Sequence, residues 1–468
     1  MKKHLLTPLL VFLLVTVALA AHNTEEWKSR TIYQVITDRF ARTDGSTDDS
    51  CEDLHHYCGG TFKGIENNLD YIQQMGFDAI WISPIPENYL EDYHGYGALD
   101  WYNVNPRFGG ADDLKSLINA MHERDMWMML DVVANHVAYI DMDFEKVTPF
   151  DKEEYYHAKC QINNWNDPNE VEYCRLSNLP DLDQDHPFVR KTLIDWVKWV
   201  IKEFDIDGLR IDTVPEVKRE FWKEYTDAAG CYAVGEIFNS DTHYLASYQG
   251  PVPAVLNYHS FFFTRNLFQD AGESMYQVRD IVNTDNEVFP DPTILGTFAD
   301  NHDNARYLSF HDDLKNYQNV LVFNFFLQGI PMVYYGTEQA FKGGDDPANR
   351  EPLWGHMDTN SEMYKFVTNM VKARKDFNVW EHPHVERYVN HDIYAFSRGE
   401  VLVAVTNTHN PFGVDVAYLP DSYKEGDILC NILNSENDCT TVSNGSVNIH
   451  FDDGEAKVYV PQARLIKE

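Results

Sequence analysis

Carboxylates follow three short apolar runs of this 468-residue chain, close to the point where each run ends. They belong to Asp212, Glu236 and Asp303, and the imidazoles of His136 and His302 follow apolar runs in the same way. A single aspartate after a strand is usually a helix cap or a solvated loop residue. Three carboxylates crowded into one cleft would instead raise the pKa of at least one of them, which suits a general acid. The pattern therefore indicates general acid chemistry by carboxylates gathered in one cleft.

Eight short apolar runs, rich in β-branched residues, alternate with helical patterns over most of the chain. The large apolar side chains between 114 and 121, for example, recur with the period of a helix that buries one face. This alternation favours parallel βαβ units, and eight of them predict an α/β fold, a closed (β/α)8 TIM barrel. Functional residues of such barrels gather at the C-terminal ends of the strands, so the carboxylates should meet on one rim. The runs are 32–35, 79–82, 127–133, 208–211, 232–234, 252–256, 294–298 and 332–335.

Two stretches break the alternation. Residues 136–186 are polar, aromatic and irregular, and a structureless loop of that length is uncommon in a compact domain. We predict a subdomain inserted there, after the third strand. From about Trp380 the chain shows short alternating strands, which predict an all-β C-terminal domain over 381–468. The catalytic barrel would then consist of 21–135 and 187–380.

The chain begins with a basic start, an apolar run and the small-residue ending at Ala20, the pattern of a signal peptide over 1–20. A membrane anchor is the alternative, but the run is short for a bilayer span of about 20 residues. We expect a protein without a stable membrane anchor, secreted to the exterior or held in a secretory or digestive compartment.

Charge and cysteines limit the partners and the redox environment. A net charge of −36 argues against nucleic acid, whose phosphates require a basic surface. We expect a monomer. Seven cysteines in an oxidising compartment invite pairing by proximity, which leaves Cys231 over. The pairs would be Cys51–Cys58, Cys160–Cys174 and Cys430–Cys439.

Several ordered segments resemble the signature regions of glycoside hydrolase family 13. The likeness is greatest to secreted fungal-type α-amylases and extends from about Thr31 into the C-terminal domain. Asp181 lies in a segment that resembles an additional region typical of α-amylases, and 93–96 and 343–350 also match. The four signature segments are DVVANH at 131–136, GLRIDTV at 208–214, GEIF at 235–238 and FADNHDN at 298–304.

This resemblance implies a retaining hydrolase of α-1,4-linked glucan. Asp212 would be the nucleophile, Glu236 the acid and then the base, and Asp303 the carboxylate that grips the sugar hydroxyls. Arg210, two residues before Asp212 and on the same strand face, can hold the nucleophile ionised. The substrate-binding residues implied are His94, Tyr96, His136, Leu176, Arg210, Glu216, His302, Asp346 and Arg350.

The resemblance also implies a structural calcium ion between barrel and subdomain. Its ligands would be the side chains of Asn135 and Asp181 and backbone carbonyls near Glu172 and Glu216. Hard oxygen ligands of this kind suit calcium. The alternative is that Asn135 and Asp181 only satisfy loop backbone.

Two other functions stay open on the sequence. One is a transglycosylase or a hydrolase of cyclodextrins or maltooligosaccharides within the same family. The other is a family member without catalysis that only binds, although such proteins usually lack one of the three carboxylates that this chain keeps.

The chain departs from the fungal pattern at two points. After the nucleophile, Pro215 and Glu216 stand where those relatives have lysine and histidine, and Gly97 stands where they have tryptophan. We predict weaker binding of the leaving-group sugars, because proline has no donor and the carboxylate only accepts. A stacking wall would be missing on the same rim.

Overall fold

The barrel is the largest unit of the computed structural model, which describes residues 22–48, 51–269, 271–433 and 438–465. Its parallel strands lie in the order six, five, four, three, two, one, eight, seven, and a bridge between Leu256 and Gly296 joins strands six and seven. All eight predicted strands are present in these ranges, so the barrel is confirmed. Strand six is shorter than predicted because Pro253 has no N–H for the ladder. The strands are Ile32–Gln34, Ala79–Ile82, Trp127–Val132, Gly208–Ile211, Tyr232–Gly235, Ala254–Val255, Gly296–Thr297 and Ile330–Tyr334.

Amphipathic helices surround the strands. Pro187–Phe204 shows how the sequence builds one: the His186 side chain accepts from the Phe188 N–H, proline occupies the first turn, and Asp205 ends the helix in a left-handed conformation. Its buried face repeats every three to four residues, as predicted. The longer helices are Phe62–Asn67, Leu69–Gln74, Ala111–His122, Pro187–Phe204, Arg219–Ala229, Tyr258–Leu267, Tyr276–Val288, Leu314–Phe326 and Glu362–Asp376.

The predicted subdomain follows the third strand and is built mostly of loops. It contains the helix Pro168–Tyr173 and three 3₁₀ turns, Phe144–Lys146, Glu153–Tyr155 and Leu176–Asn178. A rim hairpin of Pro86–Asn88 and Ala98–Val104, which the sequence analysis did not predict, binds to it through main-chain bonds around Thr148. The subdomain therefore rests on two barrel loops rather than one. Its limits at 136 and 186 stay a prediction.

The C-terminal unit is all-β. A six-stranded antiparallel sheet packs against a two-stranded one, and Asn319 joins the unit to the barrel by accepting from the Thr406 N–H at 2.9 Å. The alternation of apolar residues predicts four of its strands, at 393–397, 401–406, 447–451 and 456–460. The other four were missed. One of them, Cys439–Thr441, has only three residues, whereas Phe412–Val416 does alternate half-buried with exposed residues. The strands are His384–Val389, Ile393–Arg398, Val401–Thr406, Phe412–Val416, Ile428–Asn431, Cys439–Thr441, Val447–Phe451 and Lys457–Pro461.

The cysteines pair as predicted. Three disulfides join Cys51 to Cys58, Cys160 to Cys174 and Cys430 to Cys439, and Cys231 is a buried free thiol. None of the helices in the described ranges is long and apolar enough to cross a membrane. The predicted signal peptide lies outside the described residues.

Candidate active site

One buried arginine lies at the centre of the carboxylates. Arg210 Nη1 is 3.0 Å from Asp131 Oδ1 and 2.8 Å from Asp212 Oδ1. Its Nη2 is 2.9 Å from Glu236 Oε2 and 3.9 Å from Asp303 Oδ2. The planar guanidinium can serve several acceptors at once. It binds or lies near all three predicted carboxylates. It also binds Asp131, which was noted as part of a signature segment but not predicted as a site residue.

Asp212 and Glu236 are both buried, and both bind Arg210 and Thr213. Burial raises the pKa of Asp212 to about 6, with Arg210 opposing the rise. Burial raises the pKa of Glu236 to about 8, and the charge of Asp212 adds to it. Thr213, in a left-handed conformation with φ 47°, donates from its N–H to Glu236 Oε2 and from its hydroxyl to Asp212 Oδ2. At neutral pH the pair therefore holds one ionised and one protonated carboxyl.

A chain of hydrogen bonds sets the tautomer of His302. The Gln34 amide donates to His302 Nδ1 at 2.7 Å, so the ring proton is on Nε2. That Nε2 lies 2.6 Å from the Tyr96 hydroxyl, which donates in turn to Asp131 Oδ2 at 2.9 Å. Burial lowers the pKa of His302 well below its usual value, which keeps the ring neutral. Gln34 was missed, although it is the one polar residue of the first apolar run.

The other two predicted histidines lie around the same tyrosine. The Tyr96 N–H donates to His94 Nδ1 at 3.1 Å, and their rings are stacked with centroids 5.6 Å apart. His136 Nε2 donates to the Tyr96 carbonyl at 3.2 Å. Burial lowers the pKa of His94 to about 3 and that of His136 to about 4. Both rings are therefore neutral, with a donor and an acceptor nitrogen each.

Arg350 holds the far side of the rim. Its Nε donates to the His302 carbonyl at 3.0 Å, and its Nη2 lies 3.7 Å from Asp303 Oδ1. Nη1 pairs with Asp346 at 3.0 Å and donates to the Tyr93 hydroxyl. Arg350 is thus buried within the rim, whereas Asp346 is half exposed at its outer edge.

A cavity of about 490 Å³ opens on the other side of Glu236. Leu176 and Glu216, both predicted to contact substrate, line it. Glu216 is buried with no partner for its Oε2, and burial raises its pKa to about 8. Trp165 and Phe238, which the sequence analysis missed, line the same cavity and are 59% and 56% exposed. Large exposed aromatics beside buried carboxyls are the expected lining of a sugar site.

The position of Gly97 is filled by a neighbour. A Cβ added at Gly97 would lie 1.7 Å from Asp92 Oδ2, and the Gly97 N–H donates to the Asn88 side chain at 2.8 Å. The stacking wall predicted to be missing is therefore replaced by a carboxylate, and not by an open gap.

Candidate metal donors converge below the subdomain. The Asn135 amide group faces Asp181 Oδ1 at 2.8 Å and the Glu216 carbonyl at 3.2 Å. An amide nitrogen there would donate to both, whereas an amide oxygen would make three oxygens converge, which requires a cation. Glu172 lies in the helix that packs against the turn Val214–Glu216. No group of three His, Cys, Asp or Glu side chains within the described ranges could hold a metal, so any site there depends on amide and carbonyl oxygens.

The chain belongs to the α-amylase family. The family model described as alpha amylase, catalytic domain, matches residues 34–394. The α-amylase of Saccharomycopsis fibuligera is 36% identical over 461 residues, which cover 94% of this chain and 92% of that protein. α-Amylase 1 of Lipomyces kononenkoae is 42% identical over 365 residues, which cover 74% of this chain and 58% of that protein.

A solved structure agrees with the sequence relatives. An α-amylase from Malbranchea cinnamomea superposes with a TM-score of 0.90 at 36% identity, covering 95% of this chain and 99% of that one. The resemblance found in the signature segments is thereby confirmed over nearly the whole chain.

Proposed function

We propose that this protein is an α-amylase-type endo-hydrolase that cleaves α-1,4-glucosidic bonds of starch- or glycogen-like glucans with retention of configuration. The observation that carries the proposal is the buried pair of Asp212 and Glu236, which share one arginine and the hydrogen bonds of Thr213. The kinship with α-amylases supplies the substrate class.

The chemistry takes two steps. Asp212 attacks the anomeric carbon while Glu236 gives its proton to the leaving oxygen, which leaves a glycosyl ester on Asp212. Glu236, now ionised, takes a proton from water, and the water oxygen displaces the Asp212 carboxylate. Asp303 accepts from sugar hydroxyls as the ring distorts. The raised pKa of Glu236 supports its role as the acid, because it enters the first step protonated.

The partners shared by the two carboxyls support retention. An inverting enzyme needs about 6.5–9.5 Å between its carboxyls to hold a water, whereas a retaining one has about 5–5.5 Å. Arg210 and Thr213 each bind both carboxyls, an arrangement that favours the shorter separation.

The neutral rings provide directed contacts to the bound sugar. His302 and His136 are held with fixed tautomers, and the Tyr96 ring offers a face for the apolar side of a glucosyl unit. Arg350 and Asp346 would bind a neighbouring unit at the outer edge. Fixing these groups before substrate binds reduces the cost of orienting them later.

Product analysis tests the function. Incubation with maltoheptaose and soluble starch should release maltooligosaccharides whose new reducing ends are first α, as seen by proton NMR before mutarotation. Products that begin as the β anomer would refute retention. Mainly cyclic or elongated products would favour the transglycosylase instead, and no turnover would favour the binding protein.

We also propose structural calcium at Asn135, Asp181 and the Glu216 carbonyl, with a carbonyl near Glu172 as a further ligand. The convergence of the Asn135 amide group, the Asp181 carboxylate and the Glu216 carbonyl supports it, as does the subdomain's scarcity of regular structure. The ion would tie the subdomain to the rim and take no part in bond cleavage. Chelation should lower the melting temperature and expose the subdomain to protease. An unchanged melting curve, with no calcium found by metal analysis, would refute the site.

We propose that the protein is secreted. The three disulfides and the signal-peptide pattern of the first 20 residues support this. Amino-terminal sequencing of protein from the culture medium should begin at Ala21. Retention of the full chain inside the cell would contradict it.

A further inference from the structure

A second cavity lies next to the inner one, further out on the leaving-group side of Glu236. It measures about 820 Å³, within the usual range of ligand sites. Five residues line both this cavity and the inner one next to Glu236, so the two form one groove; they are Trp165, Val171, Pro215, Asn239 and Tyr244. The outer part begins beyond Pro215 and does not reach Glu236.

Arg219 lines the outer groove with its donors unused. It begins the helix Arg219–Ala229 and lies over the Tyr248 ring, 4.1 Å from the centroid. Among the described residues no carboxylate lies within 4 Å of its guanidinium and no hydrogen bond engages it. Stacking on Tyr248 holds the flat group in place while its five N–H donors stay available.

The two other cations of this groove are already paired. Arg190 Nη2 lies 2.6 Å from Glu224, and Lys218 pairs with Asp185. Arg219 is therefore the cation best suited to bind an incoming polar ligand.

We propose that Arg219, held on Tyr248, is a specificity-determining residue that binds the second or third glucosyl unit of the leaving group. This inference rests on the proposed function. Pro215 offers no donor to the first leaving unit, so the donors that grip hydroxyls lie one step further out. The half-buried Tyr244 ring and the exposed Trp165 ring give apolar surfaces along the way. The consequence is a preference for bonds whose departure releases a longer fragment.

Chain-length kinetics on the wild-type protein test the proposal first. With maltooligosaccharides labelled at the non-reducing end, kcat/KM per bond should rise about tenfold as the leaving fragment grows from one unit to three, the worth of one good charged hydrogen bond. A flat dependence on leaving-fragment length would overturn the proposal, and this result needs no variant.

The variant Arg219→Gln then tests whether Arg219 causes this dependence on the length of the leaving fragment. We expect kcat/KM for maltoheptaose to fall about tenfold and the cut to move toward shorter leaving fragments. Activity on 4-nitrophenyl maltotrioside, whose leaving group is one ring, should not change. The matched control is Arg279→Gln, because Arg279 also lies over a tyrosine, Tyr276, at 5.0 Å, but does not line the groove.

Equal losses on both substrates, or none, would overturn the role of Arg219. If the glutamine variant unfolds, Arg219→Lys keeps the charge and should show a smaller loss of the same kind. A wild-type protein inactive on both substrates would instead refute the proposed function. Normal hydrolysis with no length preference refutes only this inference.

Discussion

On the side of Asp212 and Glu236 that would hold the cleaved sugar, the polar groups bind one another. On the leaving-group side, two cations are paired, but Glu216 Oε2 and Arg219 have no hydrogen-bond partner among the described residues. Arg210, Tyr96 and His302 lie in one connected network with fixed tautomers. Across Glu236, Glu216 Oε2 has no partner and Trp165 is more than half exposed.

The difference separates two demands on one cleft. The network keeps charges and protons in set positions, which the bond-cleaving step requires before substrate arrives. On the leaving-group side, the side chains need not be ordered until a sugar binds. Its residues can therefore vary without loss of catalysis. Variants on the two sides should therefore fail in different ways.

The largest effect is expected at the acid. Glu236→Gln should lower kcat on starch by about 10²–10⁴-fold, the usual size of general acid–base catalysis. It should retain a burst of glycosyl-enzyme formation on maltotriosyl fluoride, because fluoride leaves without a proton. Asp212→Asn should show no burst on either substrate. A burst in Asp212→Asn, or no burst in Glu236→Gln, would contradict the roles assigned to Asp212 as nucleophile and Glu236 as acid.

Removing the central cation should cost stability as well as activity. Arg210→Met leaves Asp131, Asp212 and Glu236 buried without their shared partner, so we expect the free energy of unfolding to fall by about 3–5 kcal/mol. Urea unfolding measures it. The deficit should shrink as pH is lowered, since protonation relieves the repulsion. A variant as stable as wild type would mean that the network is not held together by this arginine.

A substitution at Gly97 tests whether Asp92 excludes a side chain from this position. Gly97→Ala should cost about 1–3 kcal/mol of unfolding free energy, because the new Cβ would overlap the Asp92 carboxylate. In an Asp92→Ala background the same change should cost much less. Additive costs in the double variant would show that Asp92 is not what excludes a side chain there.

On the leaving-group side, donors can be restored. Pro215→Lys with Glu216→His should raise kcat/KM for maltotriose by about tenfold, the worth of one charged hydrogen bond to the leaving sugar. The carbonyl at 216 is kept, so calcium binding should be unchanged. Products and the transfer-to-hydrolysis ratio from maltoheptaose complete the comparison. Identical distributions in both proteins would show that this segment does not set specificity.

The activity of the unmodified protein should also depend on pH. The carboxyl pair releases its two protons near pH 6 and near pH 8, and only the singly protonated pair is active. As pH rises through about 6, kcat/KM should increase, and it should decrease through about 8, by about tenfold per unit on each limb. Activity that does not decline up to pH 10 would contradict the raised pKa of Glu236.

Much of the fold and part of the candidate site followed from the sequence alone. Apolar runs and helical periods determined the eight strands and their helices, because burial of one face or of both leaves a local pattern. Ordered motifs identified Asp212, Glu236 and Asp303, and loop length identified the inserted subdomain. Four strands of the C-terminal unit were missed. Cys439–Thr441 is too short to leave such a pattern, whereas Phe412–Val416 alternates and could have been recognised.

Only the tertiary structure decided how these residues act. The Gln34 amide sets the tautomer of His302 from 268 positions away in the chain. The carboxylate of Asp92 fills the space beside Gly97. Arg219 is available because the neighbouring cations found carboxylates and it did not. Such pairings depend on distances between residues far apart in sequence, and those distances exist only once the barrel has closed.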